Sequence, residues 1–484
     1  MKPIAMHTLI KDSGVGFGTS GMRGLVSALT DPLCYAYTCA FLQVVAGESE
    51  TIVLGHDLRP SSPRMASACA AAMRDMGYAV IYAGALPTPA LAYYASQIGA
   101  PALIVTGSHI PFDRNGLKFY RTTGEISKLD EALMQEAAVH LPKVVDSTPL
   151  PTPDPRARAS YVQRYVGFFG ADALKCLQVA VYEHSSVARD VLPDILTGLG
   201  AKVISLGRTD TFVPIDTEAV RTEDLVQARA WALEHPFDAI LSTDGDADRP
   251  LIGDAQGTWL RGDAVGLLCA QYLQAQVVVT PVSSNTAVEA CGQFKQVVRT
   301  RIGSPYVIAA MEAAISAQDA IVVGYEANGG FLLGSAITHD GQTLRALPTR
   351  DAVLPMLAIL RMARLSACPV SALVEALPAR YTASDRLAHY SQERSRQLIE
   401  ALQQDSQAAS QMLAPTSGAV VHMSQIDGLR VTFANGDIVH LRASGNAPEL
   451  RCYAEAATQA QAERLCTTCL QRLHPPDTHP SSAD

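Results

Sequence analysis

Ser108 and His109 in TGSHIP place a hydroxyl beside an imidazole, and Lys118 follows in NGLKFY. Together they would bring a hydroxyl, an acid-base or hydrogen-bonding ring and an ammonium to one rim. Further on, Asp244, Asp246 and Asp248 alternate in DGDADR and are trailed by Arg249. Three carboxylates this close repel one another unless a cation lies between them, and all-oxygen ligands favour Mg²⁺ or Ca²⁺. An EF-hand loop is excluded, because its sixth position would be Arg249 instead of Gly and its twelfth Ala255 instead of Glu. Ordinary readings compete with these: Ser108 as one more loop serine, Lys118 as a solvated charge, and the aspartates as a solvated acidic turn.

Strand-like segments must present these side chains. Ala102–Val105 is a short apolar run that Thr106 and Gly107 break into a loop, and Ala239–Leu241 is a buried run ahead of the aspartates. Open α/β sheets bind ligands at the carboxyl ends of their strands. Asn115-Gly116 is expected to form the turn between the Ser108 strand and a returning strand with Lys118. Around these runs strands and helices alternate: helix 33–46, strand 51–57, helix 62–76 and strand 78–84, which predicts a mostly parallel sheet with helices on both faces. Prolines 142, 149, 151, 153 and 155 mark a linker. A second unit follows, with strands at 177–186 and 202–207, and a third begins near 258, with strands at 276–284 and 320–334. PVSSN, VTGSH and VYEHSS hint at one plan repeated three times.

Other loops add binding groups. GVGFGTSGMRG, residues 14–24, satisfies GxGxxG through Gly16, Gly18 and Gly21, but the next helix starts only at Thr30-Asp31-Pro32, so the dinucleotide reading fails. The segment reads as a loop whose amides and Arg23 suit an anion. Glu326 and Asn328 in YEANGG offer sugar-hydroxyl partners beside two glycines, with a plain hairpin turn as the alternative. A smaller last region carries a hairpin at Asn435-Gly436, then RASGNAPELR, where Arg442, Ser444, Asn446 and the amides of Gly445 and Ala447 suit a phosphate dianion. Arg451 is a further candidate, and the last residues read as a disordered tail.

The 484 residues are 48% hydrophobic and 18% charged, with a formal charge of −9, which fits a soluble protein of roughly three or four domains. The acidic balance argues against nucleic acid as partner but leaves room for a small anion. No run is apolar enough for a membrane span and the amino terminus lacks a signal-peptide core, so the expected location is cytoplasmic. The ten cysteines are scattered and fit buried free thiols; Cys466 and Cys469 form a lone CxxC in a helical pattern, which favours neither zinc nor redox chemistry.

Taken in order, FGTSGMRG, TGSHIPFDRNGLKFY, DGDADR, GYEANGG and RASGNAPELR resemble the loops of the α-D-phosphohexomutase family from roughly residue 12 to 475. The resemblance implies three related mixed-sheet α/β domains plus a smaller α+β carboxyl-terminal domain around a central cleft: 1–150, 151–256, 257–368 and 369–475, with a tail at 476–484. It implies a phosphoprotein of carbohydrate metabolism, an isomerase carrying its phosphoryl group on Ser108. Mg²⁺ is then held by Asp244, Asp246, Asp248 and a phosphoserine oxygen, with a hexose 1,6-bisphosphate as intermediate and activator. Lys118 becomes the general acid/base, His109 supports the serine loop, and Arg23 and Arg249 neutralise charge. Glu326 and Asn328 take the sugar, while Arg442, Ser444, Gly445, Asn446 and Arg451 take the non-reacting phosphate.

The expected partner is a hexose phosphate, with no nucleic acid or membrane, for a monomer or homodimer. EANGG is similar to the loop of a bacterial phosphomannomutase branch, which points to exchange between mannose 6-phosphate and mannose 1-phosphate. It is also similar to phosphoacetylglucosamine mutases, so a phosphoglucosamine or phosphoacetylglucosamine mutase is the alternative. Outside this chemistry stand a non-catalytic sugar-phosphate sensor and a metal-dependent phosphatase with Asp244 as nucleophile.

Overall fold

Apolar runs too short for helices and buried on both sides dictate the sheets. In the first sheet Ile52, Leu54, Leu103 and Val105 belong to one core with the helices Asp31–Val45 and Ser62–Asp75. Val53, Ala102 and Ile104 are equally buried on the opposite face. There a side chain at Gly55 would meet Leu91 of the helix Thr88–Gln97 at 2.9 Å. The computed structural model of the chain describes residues 3–11, 13–18, 21–47, 49–145, 149–317, 319–339, 341–444 and 448–473. They form two units, 1–279 with 303–376, and 280–302 with 377–484.

Three mixed sheets share one plan in the first unit. Thr51–His56 pairs in parallel with Ala79–Ala85 and Ala102–Val105, and the latter pairs antiparallel with Arg114–Arg121. Gln178–Tyr182 pairs in parallel with Lys202–Leu206 and Ala239–Thr243, and the latter antiparallel with Pro250–Gly253. Val277–Val279 pairs in parallel with Val322–Gly324, whose strand then meets Phe331–Leu333 antiparallel. Each time the strand that turns back does so through a loop at its carboxyl end. Those loops hold Ser108, the three aspartates, and Glu326 with Asn328.

Several sequence expectations change. The sheets are mixed, as the family resemblance implies, and not mostly parallel as the strand-helix alternation alone predicts. Asn115 and Gly116 are no turn: they lie inside Arg114–Arg121, paired with Gly24 and Arg23, and the chain reverses over 106–113 instead. An added Cβ at Gly116 would meet the Met22 carbonyl oxygen at 2.2 Å, so the glycine allows two strands to approach closely. Residues 14–24 are not merely a loop, because Gly16–Phe17 and Met22–Leu25 form an antiparallel pair at the sheet edge. The span 320–334 is two strands with a turn at 326–330, not one. The repeat is real in topology, but VYEHSS and PVSSN match the Thr51–His56 strand in position, not the Ser108 strand.

In the second unit an antiparallel sheet runs Tyr381–Leu387, Leu450–Ala456, Ile438–Ala443, Leu429–Phe433 and Val420–Ser424 in spatial order. The expected hairpin at Asn435-Gly436 joins two of these strands. Alternate residues Leu429, Val431, Leu441, Leu450 and Cys452 face a core with Cys466 and Cys469 of the helix Gln459–Leu473. Seven of the ten cysteines are buried, but Cys176 is exposed and Cys291 and Cys368 are half-buried.

Candidate functional site

Ser108 sits directly after the strand Ala102–Val105 with φ +53°, a left-handed conformation that few side-chain-bearing residues adopt. Its amide donates to Thr106 Oγ1 (2.8 Å), and its fully buried hydroxyl donates to Asp244 Oδ2 (2.6 Å). His109 Nδ1 lies 3.3 Å from the same hydroxyl. Burial, then the charges of Arg249 and Arg23, hold this imidazole well below its usual range, so it is neutral at pH 7.

The aspartate loop packs against the serine loop: an added Cβ on Gly245 would stand 3.0 Å from the Ser108 carbonyl oxygen. Asp244 Oδ1 accepts from the amides of Asp248 and Arg249, each at 3.2 Å, which closes the loop on itself. Thr88, at the start of its helix, donates its amide to the Asp246 carbonyl (2.9 Å) and its hydroxyl to Asp246 Oδ2 (2.6 Å). Lys118 Nζ lies 2.6 Å from both Asp246 Oδ2 and Asp248 Oδ2. Burial would lower the lysine, but the two carboxylates outweigh it and its pKa is raised. Arg350 reaches Asp248 Oδ2 through Nη2 (2.6 Å) and Nε (3.1 Å), and Glu326 Oε2 through Nη1 (3.1 Å). It ties the aspartate loop to the turn that holds Glu326.

The trio fits a divalent cation. One oxygen from each of Asp244, Asp246 and Asp248 lies within 4.8 Å of the others. Asp246 Oδ1 and Asp248 Oδ1 are buried with no hydrogen-bond partner, a costly state that an ion relieves. Burial, then the neighbouring Asp246 and Asp248, push Asp244 well above the usual carboxylate range. Burial acts upward on Asp248 too, but Arg350, Lys118 and Arg249 hold it low. Arg23 is half-buried and pulled down to about 10 by burial and by the positive Arg249 and Arg350. An arginine lowered by two neighbouring arginines marks a positive place suited to an anion.

Thus Ser108, His109, Lys118, Arg23, Arg249 and the aspartates meet at one place, with Glu326 linked through Arg350. Asn328 is buried in the same turn; its carbonyl accepts from Thr217 Oγ1 (2.7 Å) and its side-chain oxygen from the Gly330 amide (2.9 Å). Sequence reasoning missed Arg350, Thr88, Asp57 and Arg59. HDLRPSS, a polar loop at the carboxyl end of a strand, was the available signal for the last two. Arg442, Ser444 and Arg451 belong to the second unit, where Arg442 Nε pairs with Asp427 (3.0 Å) and Arg451 faces Glu449 (3.7 Å). The Ser444 amide donates to the Glu449 carbonyl (2.9 Å). Gly445, Asn446 and the tail lie outside the described residues.

Comparison with known proteins places this geometry. Family models described as phosphoglucomutase/phosphomannomutase alpha/beta/alpha domains I, II and III match residues 14–138, 159–257 and 261–381, and the C-terminal domain model matches 368–470. A phosphomannomutase of Salmonella muenchen is 47% identical over 470 residues, covering 96% of this chain and 97% of the relative. Another, of Sinorhizobium fredii, is 44% identical over 471 residues, covering 95% and 99%. A solved phosphoglucomutase/phosphomannomutase family protein from Burkholderia thailandensis shares the fold with a TM-score of 0.73 at 20% identity, covering 96% of this chain and 97% of that one.

Proposed function

The chain belongs to the phosphoglucomutase/phosphomannomutase family, and from that premise we propose that it is a phosphomannomutase interconverting mannose 6-phosphate and mannose 1-phosphate. The observation that carries the reading is the Ser108 hydroxyl 2.6 Å from Asp244, in a carboxylate trio whose other members hold Lys118. Asp244, Asp246, Asp248 and a phosphoserine oxygen would hold Mg²⁺, which when bound would supply positive charge beside the phosphoryl group.

Ser108 carries the phosphoryl group at rest. In the first half-reaction the bond from phosphorus to Ser108 Oγ breaks as one forms to the free hydroxyl of the hexose phosphate, and the hydroxyl's proton leaves. The hexose 1,6-bisphosphate turns round, and its other phosphate returns to Ser108. Such transfer is chiefly positioning and charge neutralisation, which Arg23 and Arg249 supply. Lys118 moves the proton of the attacking or leaving hydroxyl, and neutral His109 steadies the serine oxygen. Glu326 and Asn328 bind sugar hydroxyls, while Arg442, Ser444, Gly445, Asn446 and Arg451 take the phosphate that is not reacting. Free hexose 1,6-bisphosphate acts as activator by restoring phosphoserine. No helix among the described residues is long and apolar enough to cross a membrane; we assign the enzyme to the cytoplasm as a monomer or homodimer.

A coupled assay with mannose, glucose, glucosamine and N-acetylglucosamine 1-phosphates tests the substrate. The expected result is the highest kcat/KM on mannose 1-phosphate. No turnover there would discard mannose, and preference for an amino sugar would establish the alternative.

A further inference from the structure

Arg59 is 1% exposed, yet it serves no ligand-facing role assigned above. Its guanidinium is spent on the backbone of one loop. Nη1 donates to the carbonyls of Pro111 (2.7 Å) and Arg114 (2.9 Å), and Nη2 to those of Ser108 (2.9 Å) and Ile110 (2.5 Å). The Phe212 ring covers it at 4.1 Å, and an added Cβ at Gly107 would strike its carbon and Nε at 2.6 Å. Its countercharge is Asp57, whose Oδ2 lies 3.3 Å from Arg59 Nε.

Asp57 grips the same loop from the strand side. Its Oδ2 accepts from Thr106 Oγ1 (2.8 Å) and the Gly107 amide (3.2 Å), and Thr106 Oγ1 in turn accepts from the Ser108 amide. Its Oδ1 accepts from the Arg59 amide (3.0 Å) and Ser62 Oγ (2.6 Å). A non-glycine residue at positive φ is strained and persists only where its surroundings over-determine it. Here four carbonyls and two amides of the loop are fixed directly or through Thr106 by a single buried ion pair.

We propose that Arg59 is a positioning residue for phosphoryl transfer: with Asp57 it forms a template that holds the Ser108 loop, and hence Ser108 Oγ, in line with the reacting phosphate. The proposal rests on Ser108 as the phosphoryl carrier. A planar fork is required, because lysine keeps the charge but cannot reach carbonyls on both sides. A nucleophile displaced by about 1 Å loses roughly 100-fold in rate while substrate binding elsewhere is unaffected.

The test compares wild type, Arg59→Lys and Thr106→Val on mannose 1-phosphate, with phosphosite mapping and thermal unfolding of each. Wild type is the control for the underlying reading: without turnover and without phosphate on Ser108, that reading falls and the template role with it. If wild type behaves as described, folded Arg59→Lys is expected to lose about 100-fold in kcat with KM within about threefold. A folded Arg59→Lys enzyme with kcat within about threefold of wild type overturns the proposal, as does a loss confined to KM. Should Arg59→Lys fail to fold, Thr106→Val decides: about a tenfold fall in kcat at unchanged KM supports the template, and unchanged kcat overturns it.

Discussion

Replacing Ser108 by alanine removes one oxygen and leaves the aspartate trio, Lys118 and Arg350 in place, so it separates chemistry from binding. The mutase account expects a fall in turnover of at least about 1000-fold in the coupled assay, because the oxygen that carries the phosphoryl group in that account is gone. A phosphatase using Asp244 would be indifferent to the change and would release free phosphate. Arg350 tests the electrostatics of the same place. Arg350→Ala leaves Glu326 without its 3.1 Å partner and Asp248 with less compensation in a buried setting. Breaking such a buried pair costs about 3–5 kcal/mol. Urea unfolding should show a lowered midpoint of that order, alongside weakened activity.

The return strand Arg114–Arg121 carries Lys118 to the aspartates, and it depends on the neighbouring strand Met22–Leu25 lying close beside it. Gly116→Ala would drive a methyl into the Met22 carbonyl, where backbone on both sides resists movement; overpacking of this kind costs typically about 1–3 kcal/mol. Gly16→Ala meets nothing within 4 Å and serves as its neutral counterpart. A thermal melt that fell for Gly16→Ala but not for Gly116→Ala would contradict this packing. The misreading of Asn115-Gly116 has the same origin. That dipeptide is a strong local turn signal, but here a distant strand requires the glycine, and tertiary context overrides the local preference. Ser108 and the aspartates were legible because short apolar runs ending in polar loops define strand ends without long-range information. Arg350 and Arg59 were not, since nothing in TRD or DLRP tells which carboxylate or carbonyl lies opposite once three separate sheets have formed.

Two of the buried histidines, His184 in the first unit and His440 in the second, bear on acid stability. His184 is pushed down to about 4 by burial, with Nε2 2.9 Å from the Thr243 carbonyl, and His440 likewise to about 4, with Nε2 on the Asp427 carbonyl. Unfolded, both bind a proton near pH 6.5; folded, they do so only near 4, so between these values the unfolded chain holds more protons and stability rises with pH. Each therefore contributes stability that is intact at pH 7, declines as the pH falls below about 6.5 and amounts to on the order of 2 kcal/mol lost by pH 5. Urea midpoints measured from pH 7.5 to 5 should decline, and His184→Gln should flatten the decline; a pH-independent midpoint would contradict the buried neutral imidazoles.

All of the proposed chemistry passes through one oxygen. Intact-mass and peptide mapping of the protein after incubation with hexose 1,6-bisphosphate and Mg²⁺ examines it directly. The expected result, with labelled bisphosphate, is a single labelled phosphoryl group on Ser108 whose label passes to added mannose 1-phosphate or mannose 6-phosphate while Ser108 stays phosphorylated. A protein that turns over mannose phosphates while Ser108 stays unmodified throughout would contradict the account.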